Sequence, residues 1–453
     1  MKKILAEFFR EQRVYKMAAL LCVVAAVALF VFYTGWYQRQ ALQRIGYGET
    51  DYAVFYVAGT QLLHGVAGDI YNPATFIPAV KALRETNGGT RYVYFPASVF
   101  LFAPLALFSY KTGVVAWLFF NIALFVAAYY IGVWLVDPRW WRLRYSLILA
   151  ALTFSDTAVG LMKRGQINGL IWLVFMLGLV FLARGGGRRG RDGRAGDDGR
   201  EVSGWRVVSE VVAGAMYGVN ILLKIFPVVF VPYFILKKQW RAAVAVVVFL
   251  VVVFALTIPV FGGDGQTRFW EVVLPKQLAG TDFGDNKNNN SLYGTFDYST
   301  YQAESPWYAP AGAGHAEFQN YVLRYIHLVG TGVAFVALAW VLWRCRDRHA
   351  RLDYLLDYAL ILLFVLLFAK GVRTAYNLWT IPAIVYFFSG RWSWRRVPLV
   401  LGALAVLLTT QFWRLLPVAV ADVWGPLRIT NVGLVALFVA LLWVRGRKPV
   451  TRK

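Results

Sequence analysis

A run of about 20 apolar residues is long enough to cross a bilayer, where a helix is the one single-segment structure that pairs all of its own backbone groups. Such runs recur along this whole chain. They cover residues 17–37, 112–136, 146–162, 167–183, 207–223, 225–236, 242–261, 319–343, 353–369, 375–389, 397–416 and 429–444, the shorter ones reading as Pro- or Gly-broken halves inside a bundle. Composition points the same way: 59% of the residues are hydrophobic and 16% charged, where a soluble domain carries roughly a quarter charged residues. The expected fold is therefore all-α, a single polytopic membrane helical bundle over residues 1–453 with about twelve spans. The first run is expected to stay attached, because it is long and no A-x-A-like cleavage site follows it.

A net charge of +23 in a soluble chain would suggest nucleic acid, but in a membrane chain it is first a matter of topology. With the N-terminus in the cytoplasm, most of the 47 Lys and Arg fall on that side. They are Lys2 to Lys16, Arg139 to Arg144, Arg184 to Arg206, Lys237 to Arg241, Arg344 to Arg351, Arg391 to Arg396 and Arg445 to Lys453. No nucleic-acid partner is needed to explain the excess. The same threading decides Tyr94 to Phe108, which is apolar enough to span but would invert every later loop, so it is expected to be a juxtamembrane helix on the outer face. The stretch 184–206 is Gly/Arg-rich and is read as a disordered cytoplasmic loop. Cys22 lies in an apolar run and Cys345 in a basic loop, a pair that makes neither a disulfide framework nor a metal cluster.

Two long segments remain outside, 38–111 and 262–318, the second rich in acids (Asp264, Glu271, Asp282, Asp285, Asp297, Glu304, Glu317). Cations on this side lack the topological reason, and each is a functional candidate. Lys163 and Arg164 precede Gly165-Gln166-Ile167-Asn168, Lys224 sits in a turn before Pro227, and Lys370 and Arg373 end another segment. A ring of cations beside half-helix ends suits an anionic lipid phosphate, and snorkelling to the interface is the plainer alternative. In the first outer loop, Asp51 opens a stretch containing Tyr52, Phe55, Tyr56, Leu62 and Leu63 at the spacing of an amphipathic helix, where the carboxylate serves either as a helix cap or as a chemical group. No GxSxG, HExxH or P-loop is present, and no GxGxxG opens a helix after a strand. His64 and His315 can reach the same side, while His327 lies inside a segment and His349 in the cytoplasm. Tyr293, Phe296, Tyr298, Tyr301, Trp307 and Tyr308 either stack on sugar or fold over the bundle.

The order of these pieces resembles glycosyltransferase family 87. The resemblance is carried by Asp51-Tyr52-Ala53-Val54-Phe55-Tyr56-Val57-Ala58-Gly59, Leu62-Leu63-His64-Gly65, Asp69-Ile70-Tyr71-Asn72-Pro73, Tyr94-Phe95-Pro96 and Ala103-Pro104-Leu105. Downstream it continues through Gly165-Gln166-Ile167-Asn168, Gly214 and Gly218 before Lys224 and Pro227, and Asn290-Ser291-Leu292. It implies a GT-C fold in a bacterial plasma membrane. It also implies a single mannose- or arabinofuranose-like sugar taken from a polyprenyl-phosphate carrier and joined to a glycolipid or glycan hydroxyl on the outer side. In such enzymes an Asp just after the first transmembrane helix is the general base, and Asp51 stands at that position. Where relatives carry a His-rich motif before a late helix, this chain reads Arg373-Thr374-Ala375-Tyr376-Asn377-Leu378-Trp379.

On that reading Asp51 is the catalytic base, while Lys224, Arg164, Arg373, Lys163 and Lys370 hold the donor phosphate. Gln166, Asn168, Asn290, Tyr56, His64, His315 and Tyr376 are the sugar and acceptor contacts. No metal or other cofactor is expected, because no compact carboxylate cluster accompanies Asp51; the acids Asp282 and Asp285 are the weak alternative for Mg²⁺ or Ca²⁺. The competing class is a transporter or flippase of a lipid-linked sugar, which would show two matching halves and charges near the midplane rather than at one surface.

Overall fold

The computed structural model describes residues 51–83, 91–153, 155–186, 199–279, 291–292, 313–369, 372, 374–389 and 429–446, with Met17, Leu21, Val24 and Ala28 as isolated positions. Among them every regular element is helical. The helices are α1 (Asp51–Leu63), α2 (Pro73–Leu83), α3 (Tyr110–Val136), α4 (Leu143–Thr153), α5 (Asp156–Arg164), α6 (Asn168–Gly186), α7 (Gly199–Leu223), α8 (Phe230–Leu236), α9 (Trp240–Arg268), α10 (Leu274–Ala279), α11 (Ala313–Arg344), α12 (Arg351–Phe368), α13 (Ile381–Phe388) and α14 (Ile429–Gly446). Among the described residues, five stretches are long and apolar enough to cross a bilayer: Tyr110–Val136, Asn168–Gly185, Gly204–Leu223, Trp240–Leu278 and Tyr325–Arg344. The outward faces of α9 and α11 are apolar, with Val247, Val251, Leu256, Val333 and Val336 each more than half exposed, as lipid contact requires. The expected spans at 17–37, save its isolated positions, and at 397–416 lie outside the described residues.

Three readings change. The run 146–162 is two helices, because the Ser155 hydroxyl accepts the Ala158 N–H (3.2 Å) and starts α5 afresh. The run 225–236 begins with a 3-10 turn, Phe226–Val229, before α8, Pro227 being favourable only in a helix's first turn. Helix α1 is not an amphipathic surface helix: Tyr52, Ala53, Val54, Phe55, Val57, Ala58 and Gly59 are all buried, since both its faces meet protein. Residues 94–108 form a short helical run, Pro96–Leu107, too short to span.

The core is a four-helix group in which α6 lies between α3 and α7, and α7 packs on α9. Close approach of α7 and α9 depends on Gly214 and Gly218. A β-carbon at Gly214 would stand 2.4 Å from the Ala242 carbonyl oxygen, and one at Gly218 2.4 Å from the Phe249 ring. This is the small-residue seam of packed membrane helices. Gly214→Val is expected to cost at least about 1–3 kcal/mol and to lower the unfolding midpoint in detergent; an unchanged midpoint would mean that the two helices do not meet there.

The bundle has two chemically distinct ends. At one, the Arg351 guanidinium lies 4.7 Å from the Trp134 ring centre, and Arg144 donates to Asp137 (3.0 Å) and to the Ser389 carbonyl (2.9 Å). Burial pushes the Asp137 carboxyl up, but hydrogen bonds from the Arg139 N–H and the Tyr145 hydroxyl, with the Arg139 charge, outweigh it and hold the group below its usual range. At this end too, Lys237 and Arg445 both pair with Asp357, at 2.8 and 2.5 Å. The Tyr233 hydroxyl donates to Asp357 as well (3.1 Å), and Arg445 reaches Asp353. Lys237 also donates to the carbonyls of Cys345 and Arg348. Basic clusters assigned to one membrane side thus converge, and four chain segments are tied together by fully buried charges. The opposite end lies about 40 Å away along α3, from its 27 residues at 1.5 Å each.

Candidate functional site

Helix α1 lies at that opposite end, with Asp51 as its first residue, half-buried, in the turn where a helix favours negative charge. The next residue, Tyr52, is buried against Tyr110 and Trp117, with ring centres 5.7 and 6.1 Å apart. Burial, then Tyr56 and Tyr110, push its hydroxyl well above the ordinary range, so at neutral pH it is neither an acid nor a base. Trp117 spans to the next motif: its indole N–H donates to the Gly165 carbonyl at 2.8 Å.

Gly165 ends α5 in the left-handed conformation (φ 62°), closing the turn with N–H bonds to Leu161 and Met162. A β-carbon there would be strained and would stand 3.0 Å from Tyr52 Cβ. The basic end of α5, carrying Arg164, is thereby pressed against the residue beside Asp51. Just after it Gln166 and Asn168 are buried, and the Asn168 side-chain amide donates to the Gln166 side-chain oxygen Oε1 (2.7 Å).

The second half of the site joins Lys224 to the segment after α12. The Lys224 ammonium sits 3.6 Å from the centre of the Tyr376 ring, a short cation–π contact. Tyr376 stacks on Trp379 (4.9 Å), and Trp379 meets Phe226 two residues beyond Lys224 (4.5 Å). Tyr376 and Trp379 belong to a 3-10 segment, Thr374–Thr380, that packs on α5, so α5 connects the halves.

Asp51, Arg164, Gln166, Asn168, Lys224 and Tyr376 thus gather at one end. Tyr56 is close by on α1, its hydroxyl donating to the Phe108 carbonyl (3.1 Å) and its ring edge-on to Tyr110. His64 is exposed just beyond the far end of α1, about 20 Å from Asp51 at 1.5 Å per residue, and does not join them. Lys163 lies in α5 and His315 in α11, side chains undescribed; Lys370, Arg373 and Asn290 lie outside the described residues. Among the described residues no group of three or more His, Cys, Asp or Glu is placed to hold a metal ion; Asp282 and Asp285 lie outside them. Trp117 and Trp379 escaped sequence reasoning, because a Trp in an apolar run looks like an interface anchor; for Trp117 the signal is an indole N–H that needs a partner when buried, met by the Gly165 carbonyl.

No curated protein and no solved structure matches the chain. A family model does match, that of glycosyltransferase family 87, over residues 92–369. The match takes in the Gly165 turn, Lys224 and Tyr94-Phe95-Pro96, and begins after α1 and Asp51. It covers more than half of the sequence, and the chain belongs to glycosyltransferase family 87, a family of membrane glycosyltransferases.

Proposed function

We propose that this glycosyltransferase moves one mannose- or arabinofuranose-like sugar from a polyprenyl-phosphate carrier to a hydroxyl of a glycolipid or glycan. The transfer takes place at the extracytoplasmic face of a bacterial plasma membrane. The observation that carries the reading is the packing of Gly165 against Tyr52, which sets the turn after Arg164 against the residue that follows Asp51. Asp51 takes the proton of the acceptor hydroxyl as its oxygen bonds to the anomeric carbon. The bond from that carbon to the phosphate oxygen breaks, and the carrier leaves as polyprenyl phosphate. Displacement from the opposite face inverts the anomeric centre. Negative charge grows on the leaving phosphate, where Lys224 and Arg164, with Lys163 next to Arg164 and with Lys370 and Arg373 just before Tyr376 in sequence, favour it most in the transition state. Gln166 and Asn168 shape the turn, Tyr56 offers a ring face to sugar, and Tyr376, its ring already covered by Lys224 and Trp379, holds the lysine in place, with His64, His315 and Asn290 the more distant acceptor candidates. The basic end faces the cytoplasm by the charge bias of membrane loops, which puts the site outside.

Purified protein in lipid nanodiscs, given synthetic polyprenyl-phosphate sugars, should release polyprenyl phosphate only when an acceptor is present. Turnover of a nucleotide sugar with no use of the lipid-linked donor would overturn the proposal. Lys224→Ala is expected to weaken donor binding at least about tenfold, the loss of one charge-assisted contact of roughly 1.5–3 kcal/mol, with a near-normal unfolding midpoint. Unchanged donor affinity in a folded variant would remove Lys224 from the site.

A further inference from the structure

Tyr52 follows Asp51 directly, and its side chain is clamped between two glycines. At the near end, a β-carbon on Gly165 would stand 3.0 Å from Tyr52 Cβ; at the far end, one on Gly113 would stand 1.9 Å from the Tyr52 hydroxyl oxygen. The glycines belong to different elements, Gly165 to the turn after Arg164 and Gly113 to the first turn of α3. The tyrosine therefore spans from the basic turn to the start of α3, and packing this close leaves no room for a methyl group at either end. The frame around it is closed. Trp117, one helical turn after Gly113, donates its indole N–H to the Gly165 carbonyl (2.8 Å). The Ser109 hydroxyl accepts the Thr112 N–H (3.3 Å) and fixes where α3 begins.

Two tyrosines on α1, one turn apart, meet the start of α3 in different ways. The Tyr56 hydroxyl donates to the Phe108 carbonyl (3.1 Å). That of Tyr52, a residue 1% exposed, is closed to water and has no hydrogen-bond partner among the described residues. A buried hydroxyl without a partner lowers stability, and a phenylalanine at this place would avoid that loss. What the oxygen adds to a phenylalanine is reach. It extends the ring into the space that a glycine leaves on α3, and so sets how far the first turn of α1 stands from that helix.

We infer that Tyr52 is a positioning residue for sugar transfer, its hydroxyl seated on Gly113 so that the start of α1, with Asp51, is held against the Arg164–Gly165 turn. This rests on Asp51 being the base, as proposed above, whereas the seat rests on the distances around Tyr52. A side chain pushed off its seat moves the backbone that carries the carboxylate. A base displaced by about 1 Å can lose on the order of a hundredfold in rate while the substrate still binds.

The test is a size swap in the full-length protein in lipid nanodiscs, assayed with the synthetic polyprenyl-phosphate sugars. Gly113→Ala, which pushes on the hydroxyl, is expected to lower kcat about ten- to a hundredfold at temperatures where it is folded, with donor binding near the wild-type value. Adding Tyr52→Phe removes the oxygen and leaves Cζ of the ring 3.0 Å from the new methyl, so the double variant should recover most of the lost rate. Tyr56→Phe in its place should not. Tyr52→Phe alone should keep the wild-type pH profile, because the hydroxyl moves no proton. Backbone hydrogen exchange at the start of α1 and in the Gly165 turn should quicken in Gly113→Ala and return to normal in the double variant. If Gly113→Ala alone does not fold, the double variant must still fold and transfer. A folded Gly113→Ala enzyme at the wild-type rate, a loss seen in donor affinity rather than kcat, a double variant no better than the single, or equal rescue by Tyr56→Phe would overturn the inference. A changed pH profile in Tyr52→Phe would overturn it too, by making the hydroxyl part of the chemistry. Should the wild type move no lipid-linked sugar, the transfer reading falls, while exchange still decides whether the seat holds.

Discussion

Asp51→Asn is expected to lower sugar transfer at least about a hundredfold, the low end of what a positioned general base contributes, while donor binding and unfolding midpoint stay near normal. Asn matches Asp in size and caps helices about as well, so the first turn of α1 and its contacts with the bundle should survive. Basicity alone is removed. The residues around Asp51 favour this separation, because Tyr52 and Phe55 are almost completely buried and lock α1 to α3 through aromatic contacts that do not involve the carboxylate. The kinetic signature should be a fall in kcat and in kcat/KM by the same factor, as for an interaction made only in the transition state. Turnover at the wild-type rate in the Asn variant would leave Asp51 as a helix-starting residue, and the base would have to be sought elsewhere at that end.

Hydropathy was enough to locate α3, α6, α12 and α14 within a few residues, because for a helix in lipid the apolar run is the structural requirement itself; α7 starts at Gly199 and α9 ends at Arg268, well beyond the apolar runs expected at 207–223 and 242–261. Where a run was read as one helix and proved to be two, the missing signal was short and polar: Ser155 and Asp156 make a helix start in the middle of an apolar stretch. Helix α1 misled for the opposite reason. Its apolar spacing fits a surface helix, but a helix with protein on both faces shows no clear periodicity, and whether protein or lipid covers it is decided by distant segments. The candidate site divides in the same way. Gly165 and Lys224 stood out locally, as a glycine after a basic helix end and as a lysine in a turn on the wrong side for topology. The pairing of Lys224 with Tyr376, and the Trp117 bond that sets the Gly165 turn beside Asp51, join residues far apart in sequence, and no local pattern encodes them. Lys237 and Arg445 show the limit of charge counting: both were explained by topology, yet both are almost completely buried. Asp353 and Asp357, four apart in an otherwise apolar helix, were the sign that those cations had partners.

That buried group of charges carries the largest expected effect on stability. Asp357 accepts from Lys237 (2.8 Å), from Arg445 (2.5 and 3.1 Å) and from Tyr233 (3.1 Å), with its side chain and that of Lys237 fully buried. Two cations and the carboxylates of Asp353 and Asp357 balance, so the group is tolerable only as a whole. Asp357→Asn keeps the shape but leaves Lys237 without a counter-charge in a site closed to water, and breaking such a pair costs about 3–5 kcal/mol. The unfolding midpoint in detergent should fall accordingly. Removing both charges, as Lys237→Met with Asp357→Leu, leaves Arg445 balanced by Asp353 and should be less damaging than the single change, although the Cys345 and Arg348 carbonyls then lose their donor. Because the group sits at the end of the bundle far from Asp51, transfer measured well below the unfolding midpoint should stay within a few-fold of wild type in both variants. A single variant as stable as wild type, or a double variant worse than the single, would show that these charges are not coupled as the distances imply. A hundredfold loss of transfer at a temperature where the protein is folded would instead tie this end to the chemistry.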